Sequence, residues 1–243
     1  MMKLWGGTDT GIVRTQNQDG YFIAQYGDDL LCAVVCDGMG GARAGNVASE
    51  LAVEVFAAAM EGLGEQVPDD PQMLLKRIAA DANHAVHTQA TFHSDYAGMG
   101  TTMVAALVVG SCAHVLNIGD SRAYHVKENS IVRVTRDHSY VEDLVERGEI
   151  TPEEARYHPR KNLITRALGS MQNVRADLFE RELGAGEYLL LCSDGLTNVL
   201  TDQEILDEII HGGSPDSCCS RLIDLVLSRG APDNVTAVLL ERA

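Results

Sequence analysis

The sequence is poor in aromatic residues, in basic residues and in long apolar runs. Phe, Trp and Tyr make up only 5% of the 243 residues, although apolar residues reach 45%. The core must therefore be built mainly from Val, Leu, Ile and Ala. Nineteen basic residues stand against 35 acidic ones, which gives a formal net charge of -16. Because nucleic acids and anionic membranes attract clusters of Lys and Arg, this balance argues against both as partners.

The amino terminus has no apolar run typical of a signal peptide, and the longest candidate elsewhere, residues 103–109, is far too short to cross a bilayer. The six cysteines, at positions 32, 36, 112, 192, 218 and 219, include no pair of CxxC knuckles, which argues against a zinc site. Most of them lie in strand-like apolar runs, as buried free thiols do. We therefore expect a cytoplasmic protein without membrane insertion, and we expect a monomer.

No linker, repeat or low-complexity segment divides the sequence, so we expect one domain over residues 1–243. Apolar runs of strand length occur at residues 20–26, 30–36, 101–109, 112–118, 123–127, 131–135, 176–181, 188–192 and 235–241. Short turns at residues 27–29 and 110–111 join neighbouring runs, which requires antiparallel pairing. Helical patterns arrive in pairs, at residues 46–61 with 71–92 and at 202–211 with 215–228. Antiparallel strands with paired helices indicate the α+β class.

Residues 139–165 differ from the rest of the chain because they combine short helical patterns with many charges. Capping-box patterns begin at Ser139 and at Thr151, and charged residues follow each of them. This composition predicts a surface excursion on the body of the domain. Such excursions often cover an active site.

Four aspartates each follow an apolar run or a turn: Asp37, Asp120, Asp194 and Asp233. An ionised carboxylate at the end of a buried strand is costly unless a cation meets it. Four such residues, spread along the chain, indicate one site assembled from distant strand ends. Hard divalent cations such as Mg²⁺ and Mn²⁺ prefer oxygen ligands, so a metal-dependent hydrolase of phosphate esters is the first hypothesis. A two-metal nuclease is disfavoured by the acidic charge.

Two further elements suit a phosphate ester. Asp37 is followed by a glycine-rich turn whose backbone can approach a ligand closely, and the carbonyl of Gly38 could join a metal there. Upstream, Arg14 lies between two polar turn clusters, and its planar, permanently charged fork suits bidentate binding of a phosphate dianion. Asp19 would then act behind the metals, through water or another ligand. Taken singly, the glycine-rich segment is better explained as an ordinary turn after a strand, and a lone arginine is usually a solvated surface charge.

Seven short motifs occur in a fixed order along the chain. They are Asp9-x-Gly11-x-x-Arg14-x-x-Asn17-Gln18-Asp19, Asp37-Gly38-Met39-Gly40-Gly41, Gly100-Thr101-Thr102, Gly119-Asp120-Ser121-Arg122-Ala123-Tyr124, Thr165-Arg166-Ala167-Leu168-Gly169, Ser193-Asp194-Gly195 and Asp233-Asn234-Val235-Thr236. Each motif alone is weak, but seven in order over residues 8–241 are specific. Together they resemble the type 2C (PPM) metal-dependent serine/threonine protein phosphatases, in the spacing of the bacterial branch.

This resemblance implies a four-layer α/β/β/α sandwich of two antiparallel sheets flanked by paired helices. It also implies that Asp37 bridges two Mn²⁺ or Mg²⁺ ions. One ion would be completed by Asp194 and Asp233, and the other by the Gly38 carbonyl and waters. A third, weaker divalent metal would be held by Asp120 and Asp194.

By the same resemblance, Arg14 holds the substrate phosphate, and residues 139–165 form a flap, called the flap segment below. The implied reaction is hydrolysis of phosphoserine and phosphothreonine in proteins, by attack of a metal-bridging water or hydroxide on phosphorus. The implied partners are phosphorylated proteins, among them a cognate Ser/Thr kinase and its substrates. The alternative is a catalytically weak sensor or scaffold with the same fold, although such proteins usually lose a metal aspartate and this chain keeps all four.

Two positions depart from the family pattern. Gln18 stands where many members have Glu, which removes a carboxylate contact through water. Met39 stands where eukaryotic members have His, a candidate general acid, and a thioether cannot donate a proton. The group that protonates the leaving alkoxide is therefore unassigned by the sequence.

Overall fold

The computed structural model describes residues 2–27 and 30–242, which form eleven strands, seven α-helices and two 3-10 turns. The strands are β1 Met2–Asp9, β2 Asp19–Tyr26, β3 Leu30–Met39, β4 Gly100–Thr101, β5 Met103–Val109, β6 Cys112–Ile118, β7 Arg122–Lys127, β8 Ser130–Arg133, β9 Asp177–Glu182, β10 Glu187–Cys192 and β11 Val235–Arg242. The helices are α1 Gly41–Leu63, α2 Pro71–Phe92, α3 Tyr140–Glu146, α4 Pro152–Tyr157, α5 Asp194–Thr197, α6 Asp202–His211 and α7 Cys218–Ser228.

The described strands form two sheets in which neighbouring strands are antiparallel. Sheet A has the order β1-β11-β10-β7-β8, and sheet B has the order β2-β3-β5-β6-β9, with the short β4 also paired to β3. One apolar cluster draws Leu31 and Val104 from sheet B and Leu191 and Val238 from sheet A. The two sheets therefore face each other across a shared core.

The outer face of each sheet is covered by helices. Phe56 of α1 and Ile78 of α2 share one cluster with the outward side chains of sheet B. Ile205 of α6 and Leu222 of α7 share another with the outward side chains of sheet A. The expected α+β class and four-layer sandwich are confirmed.

Strand β3 shows why the strand-like runs are continuously apolar instead of alternating. Leu31, Ala33 and Val35 belong to the cluster between the sheets. Cys32 and Val34 belong to the cluster beneath α1 and α2. Because successive side chains point to opposite faces, a strand covered on both faces needs apolar residues at every position.

Helix starts follow local hydrogen bonding. Asp70 accepts a hydrogen bond from the Met73 amide at 2.9 Å, so it caps α2 as expected. The expected capping boxes of α4 and α6 are both formed. At α3, Ser139 accepts from the Glu142 amide, but the Glu142 carboxylate turns away to Arg133, so only half of that box exists.

Three elements differ from the sequence-based expectation. Strand β1 was not expected, yet it pairs with β11 along its whole length. Its Gly6 leaves room for the Tyr21 ring, which a Cβ at that position would approach to 2.5 Å, so the strand lacks a regular apolar pattern there. Helix α5 is a single turn, and α1 begins at Gly41 instead of residue 46.

The turn expected at residues 110–111 joins β5 to β6, whereas two residues of the turn expected at 27–29 lie outside the described part of the chain. The apolar run 101–109 is divided at Thr102 into β4 and β5. Within residues 2–27 and 30–242, no helix combines the length and apolarity that a membrane span requires.

Candidate metal and phosphate site

The four aspartates singled out in the sequence line one cavity of about 490 Å³. Asp37 lies near the end of β3, and Asp120 lies in the turn between β6 and β7. Asp194 is the first residue of α5, directly after β10, and Asp233 lies in the turn before β11. The structure therefore brings together strand ends of both sheets, as their positions in the sequence indicated.

The backbone around Asp37 is held by sheet-like contacts with Thr102. The Asp37 amide donates to Thr102 Oγ1, and the Thr102 amide donates to the Asp37 carbonyl, both at 2.9 Å. The next residue, Gly38, packs so closely against α1 that a Cβ there would lie 2.0 Å from the Gly45 carbonyl oxygen. Glycine at position 38 is thus required by helix packing as well as by any ligand at the cavity.

Carboxyl groups crowd one another in the cavity. The side chains of Asp37 and Asp194 interact, and this interaction acts to lower the pKa of Asp194. Burial raises the pKa of Asp37, and the neighbouring carboxylates of Asp19 and Asp194 raise it further. Burial likewise raises the pKa of Asp120, with Asp194 adding to the effect, and raises that of Asp194, with Asp233 adding to it. These groups cannot all be ionised cheaply unless a cation enters.

Arg14 reaches this acidic cavity from the loop between β1 and β2. Its Nη2 donates to Asp233 Oδ2 at 2.7 Å, and the side chain is about half exposed. The hydrogen bond to Asp233 is the main reason that the pKa of Arg14 is raised. The guanidinium thus lies beside the carboxylates and remains accessible from solvent, where a phosphate could reach it.

Asp19 does not line the cavity but supports it from behind. It stands opposite Asp37 in the pairing of β2 with β3. Its Oδ2 accepts hydrogen bonds from Ser193 Oγ and Thr236 Oγ1, each at 2.7 Å, whereas its Oδ1 has no partner among the described residues. Burial raises the pKa of Asp19 to about 7, against the lowering effect of these two hydrogen bonds. Asp19 therefore ties the starts of α5 and β11 to the strand of Asp37.

Asn234 organises the Arg14 loop, and sequence reasoning missed it. Its Nδ2 donates to the carbonyls of Thr10 and Gln16, at 2.8 and 2.9 Å, and its Oδ1 accepts from the Gln18 amide at 2.8 Å. One amide side chain next to Asp233 therefore holds the loop of Arg14 at both ends. The only signal in the sequence was its place beside Asp233.

Three other contributing residues were also missed. Asn198 donates to Asp194 Oδ2 at 2.9 Å, which orients that carboxylate. Asn162 and Ile164, at the end of the flap segment, also line the cavity. Met39 lines it too, as the position beside Asp37 suggested.

The carboxylates of the cavity suit hard divalent cations, although their side chains are not yet arranged in the coordination geometry of one. Among the described residues, no three Asp, Glu, His or Cys side chains are already arranged as ligands of a metal ion. Asp233 is engaged by Arg14, and Asp194 by Asn198. The side chains present are nevertheless carboxylates with raised pKa values, and a divalent cation would relieve their repulsion. The residues therefore fit such a group.

Comparison with known proteins places the chain in one family. Residues 7–217 match the family model of protein phosphatase 2C. The serine/threonine phosphatase Stp of Listeria welshimeri is 38% identical over 236 residues, which cover 97% of this chain and 94% of that protein. A crystal structure of a bacterial serine phosphatase has a TM-score of 0.93 at 37% identity, over 100% of this chain and 98% of that chain. The catalytic domain of PstP, solved with two manganese ions, has a TM-score of 0.87 at 36% identity, over 99% and 97% of the two chains. The protein therefore belongs to the protein phosphatase 2C family.

Proposed function

We propose that this protein is a metal-dependent phosphatase that hydrolyses phosphoserine and phosphothreonine in proteins. The observation that carries the proposal is the cavity in which four crowded aspartates meet one accessible arginine. Carboxylates that raise one another's pKa values favour a divalent cation, and an accessible guanidinium favours a phosphate dianion. Family membership and the names of the relatives agree with this combination.

We assign the metal-binding residues as follows. Two Mn²⁺ or Mg²⁺ ions would be held with the help of Asp37, one by Asp194 and Asp233 and the other by the Gly38 carbonyl. Asp120 and Asp194 would hold a third, weaker divalent ion. When bound, such ions lower the pKa of a coordinated water towards neutrality and neutralise charge on the phosphoryl oxygens. The two manganese ions of PstP support the number of metals in the main pair.

The remaining work belongs to the side chains of this protein. Arg14 binds the phosphoryl oxygens of the substrate and orients the ester, once Asp233 no longer holds its guanidinium. Asn234 keeps the Arg14 loop in place through its three backbone hydrogen bonds. Asp19 keeps Asp37 beside the starts of α5 and β11.

The leaving alkoxide does not obtain its proton from a histidine on the cavity wall. Met39 lines the cavity, and none of the described residues that line it is a histidine. A thioether has no proton to give. This protein therefore differs at this position from relatives that carry histidine there.

We further propose that the flap segment contributes to substrate binding, since Asn162 and Ile164 line the cavity wall. The substrates are phosphorylated proteins, and the enzyme opposes a Ser/Thr kinase. We place it in the cytoplasm as a monomer; the six cysteines, all free in the structure and all but Cys112 buried, favour a reducing compartment.

The test is hydrolysis of a phosphothreonine peptide with Mn²⁺ and then with EDTA. Asp37→Asn and Asp233→Asn should each abolish turnover and leave the circular dichroism spectrum unchanged. Asp69→Asn, at an exposed loop position, is the matched control and should keep full activity. Near-normal Mn²⁺-dependent turnover in either of the first two variants would contradict the assignment. A wild-type protein that binds Mn²⁺ and the peptide without turnover would favour the scaffold.

A further inference from the structure

His138 contacts two parts of the structure. One is the turn that contains Asp120, and the other is the base of the flap segment. The imidazole is buried, and its Nδ1 accepts a hydrogen bond from the Gly119 amide at 3.1 Å. The backbone amide of His138 donates to the Gly119 carbonyl at 2.8 Å, and its carbonyl accepts from the Thr165 amide at 2.8 Å. One residue thus contacts both structures, and the mechanism described above gives it no part.

The turn at Gly119 depends on these contacts because it is tightly confined. Gly119 has a φ of +106°, and a Cβ there would lie 2.6 Å from Thr102 Cγ2. Its carbonyl also accepts from Asn117 Nδ2 at 3.1 Å. Both polar groups of the residue before Asp120 are therefore hydrogen-bonded, and the His138 ring supplies the bond to the amide. The position of Asp120 follows directly from this peptide.

The hydrogen bond from the Gly119 amide indicates which nitrogen of His138 carries the proton. Because the Gly119 amide donates to Nδ1, the neutral ring carries its proton on Nε2. Nε2 lies 3.2 Å from Asp177 Oδ2, to which it donates, and 3.0 Å from Arg166 Nη1. Asp177 in turn is held by Arg166 Nη1 at 2.9 Å. The ring is therefore oriented from one side by Asp177 and holds the turn on the other.

His138 also begins the two paired stretches, residues 138–140 and 163–165, that form the neck of the flap segment. Its carbonyl bond to Thr165 is followed by a bridge between Ser139 and Ile164 and by a bond from the Tyr140 amide to residue 163. Ile164, within this neck, lines the cavity. The ring that holds the Asp120 turn therefore belongs to the same residue that anchors the cavity wall.

We propose that His138 is a positioning residue that places Asp120 to receive a divalent cation. It acts through the neutral imidazole, which holds the Gly119 amide, and it couples that turn to the neck of the flap segment. The part of this inference that concerns the cation rests on the proposed function, in which Asp120 is a metal ligand. The hydrogen bond between His138 and the Gly119 amide rests on geometry alone. This bond and the effect on the cation can therefore be tested separately.

Two substitutions of His138 each keep one contact of the ring and remove the other. The side-chain oxygen of His138→Asn can take the place of Nδ1 and keep the bond to Gly119, while the contact with Asp177 is lost. The longer amide of His138→Gln can take the place of Nε2 and keep the contact with Asp177, while the bond to Gly119 is lost. Both replacements are neutral and polar, so their difference reports which contact matters.

The first measurement is amide hydrogen exchange in EDTA, over the peptide that contains Gly119. We expect exchange at Gly119 to be at least about tenfold faster in H138Q than in the wild type, since its amide loses its acceptor. H138N should stay within about threefold of the wild type. Exchange of Val115 and Leu116 in β6 should be unchanged in both variants, which controls for general unfolding. Equal exchange at Gly119 in H138Q and the wild type would overturn the inference.

The second measurement is calorimetric titration with Mn²⁺, with Asp120→Asn as reference. Loss of a group that orients a metal ligand typically weakens metal binding about 10- to 100-fold, so H138Q should lose affinity by such a factor at the site that D120N removes. H138N should bind like the wild type. If H138Q binds like the wild type while D120N does not, the positioning role is wrong. If D120N itself binds like the wild type, the metal role of Asp120 in the proposed function is wrong, and with it the role of His138 towards the cation.

Discussion

Replacing Asp19 by Asn should change how the stability of the metal-free protein depends on pH. Asp19 is buried and accepts two hydroxyl hydrogen bonds, from Ser193 and Thr236. Burial raises its pKa from 3.8 to about 7 in spite of them. Because a tenfold change in proton affinity is worth about 1.4 kcal/mol, this difference corresponds to about 4 kcal/mol of unfolding free energy.

The sign follows from the direction of the shift. The folded-state pKa lies above the unfolded-state value, so the fold favours the protonated carboxyl. This contribution to stability is complete below about pH 4 and is lost as the pH rises through about 7. In EDTA, the wild-type protein should therefore lose about 4 kcal/mol between pH 4 and pH 8 through Asp19, and D19N should not. The Asn amide places a donor where Oδ1 was, which adds a cost that does not vary with pH.

The assay is urea unfolding followed by circular dichroism, at intervals from pH 4 to pH 8 in EDTA. Because the Asp19 carboxylate also raises the pKa of Asp37, the difference between the two curves reports Asp19 together with its effect on Asp37. Asp69→Asn, at an exposed position, should run parallel to the wild type. Parallel curves for D19N and the wild type would refute the reasoning, since they would mean that Asp19 binds its proton equally in the folded and unfolded chains.

Three further predictions concern the phosphate, the backbone and the metal. Arg14→Ala should raise KM for a phosphopeptide about 10- to 100-fold and change kcat less, because charge-assisted contacts to the phosphate exist before and during reaction; steady-state kinetics with Mn²⁺ that show a loss confined to kcat would contradict this. Gly195→Ala should lower the free energy of unfolding in urea by more than about 3 kcal/mol, because the new Cβ would lie 1.8 Å from the Asn234 carbonyl oxygen. The control Gly62→Ala has open space around it and should be neutral or stabilising. Mn²⁺ at 100 times its dissociation constant should stabilise the wild type by about 2.7 kcal/mol, and an unchanged unfolding midpoint would argue against a metal site.

Much of the fold was predictable because its strands are buried on both faces. Runs such as residues 30–36 are apolar at every position, and the capping signals at Asp70 and Thr201 mark helix starts on their own. Strand β1 was not predictable in this way. Its Gly6 makes room for Tyr21 of the other sheet, so the position is explained by a contact that only the folded chain contains.

The start of α1 and its buried face show a similar limit. The spacing of Val47, Leu51 and Val55 indicates a helix, but the fully buried stripe contains Ala48, Ala52 and Phe56. Small residues on that stripe allow the helix to approach sheet B closely, and a pattern that weighs hydrophobicity alone favours the larger side chains beside them. Val47, Leu51 and Val55 pack against the edge of the same cluster, so the helix was predictable and the small residues at the centre of its buried face were not.

For the site, the residue types were predictable and their supports were not. Aspartates that follow buried apolar runs are costly without a cation, which indicated a shared site, and Asp37 and Asp194 do line one cavity. The contact of Asn234 with the Arg14 loop joins residues more than 200 positions apart. Nothing local to Asn234 distinguishes it from an ordinary turn residue.

The placement of the aspartates links activity to the stability of the whole sandwich. Asp37 belongs to sheet B, and Asp120 lies in the turn that runs from β6 of sheet B to β7 of sheet A. Asp194 follows β10 and Asp233 precedes β11, and both of these strands belong to sheet A. Without a cation, the carboxyl groups of the two sheets must either bind protons or repel one another, since burial and neighbouring carboxylates raise the pKa values of Asp37 and Asp194. A divalent cation bound by carboxylates from both sheets would replace that repulsion with attraction between the sheets. Removing the metal should therefore lower the free energy of global unfolding, and hydrogen exchange should rise in both β3 and β10 instead of only in the loops that surround the cavity.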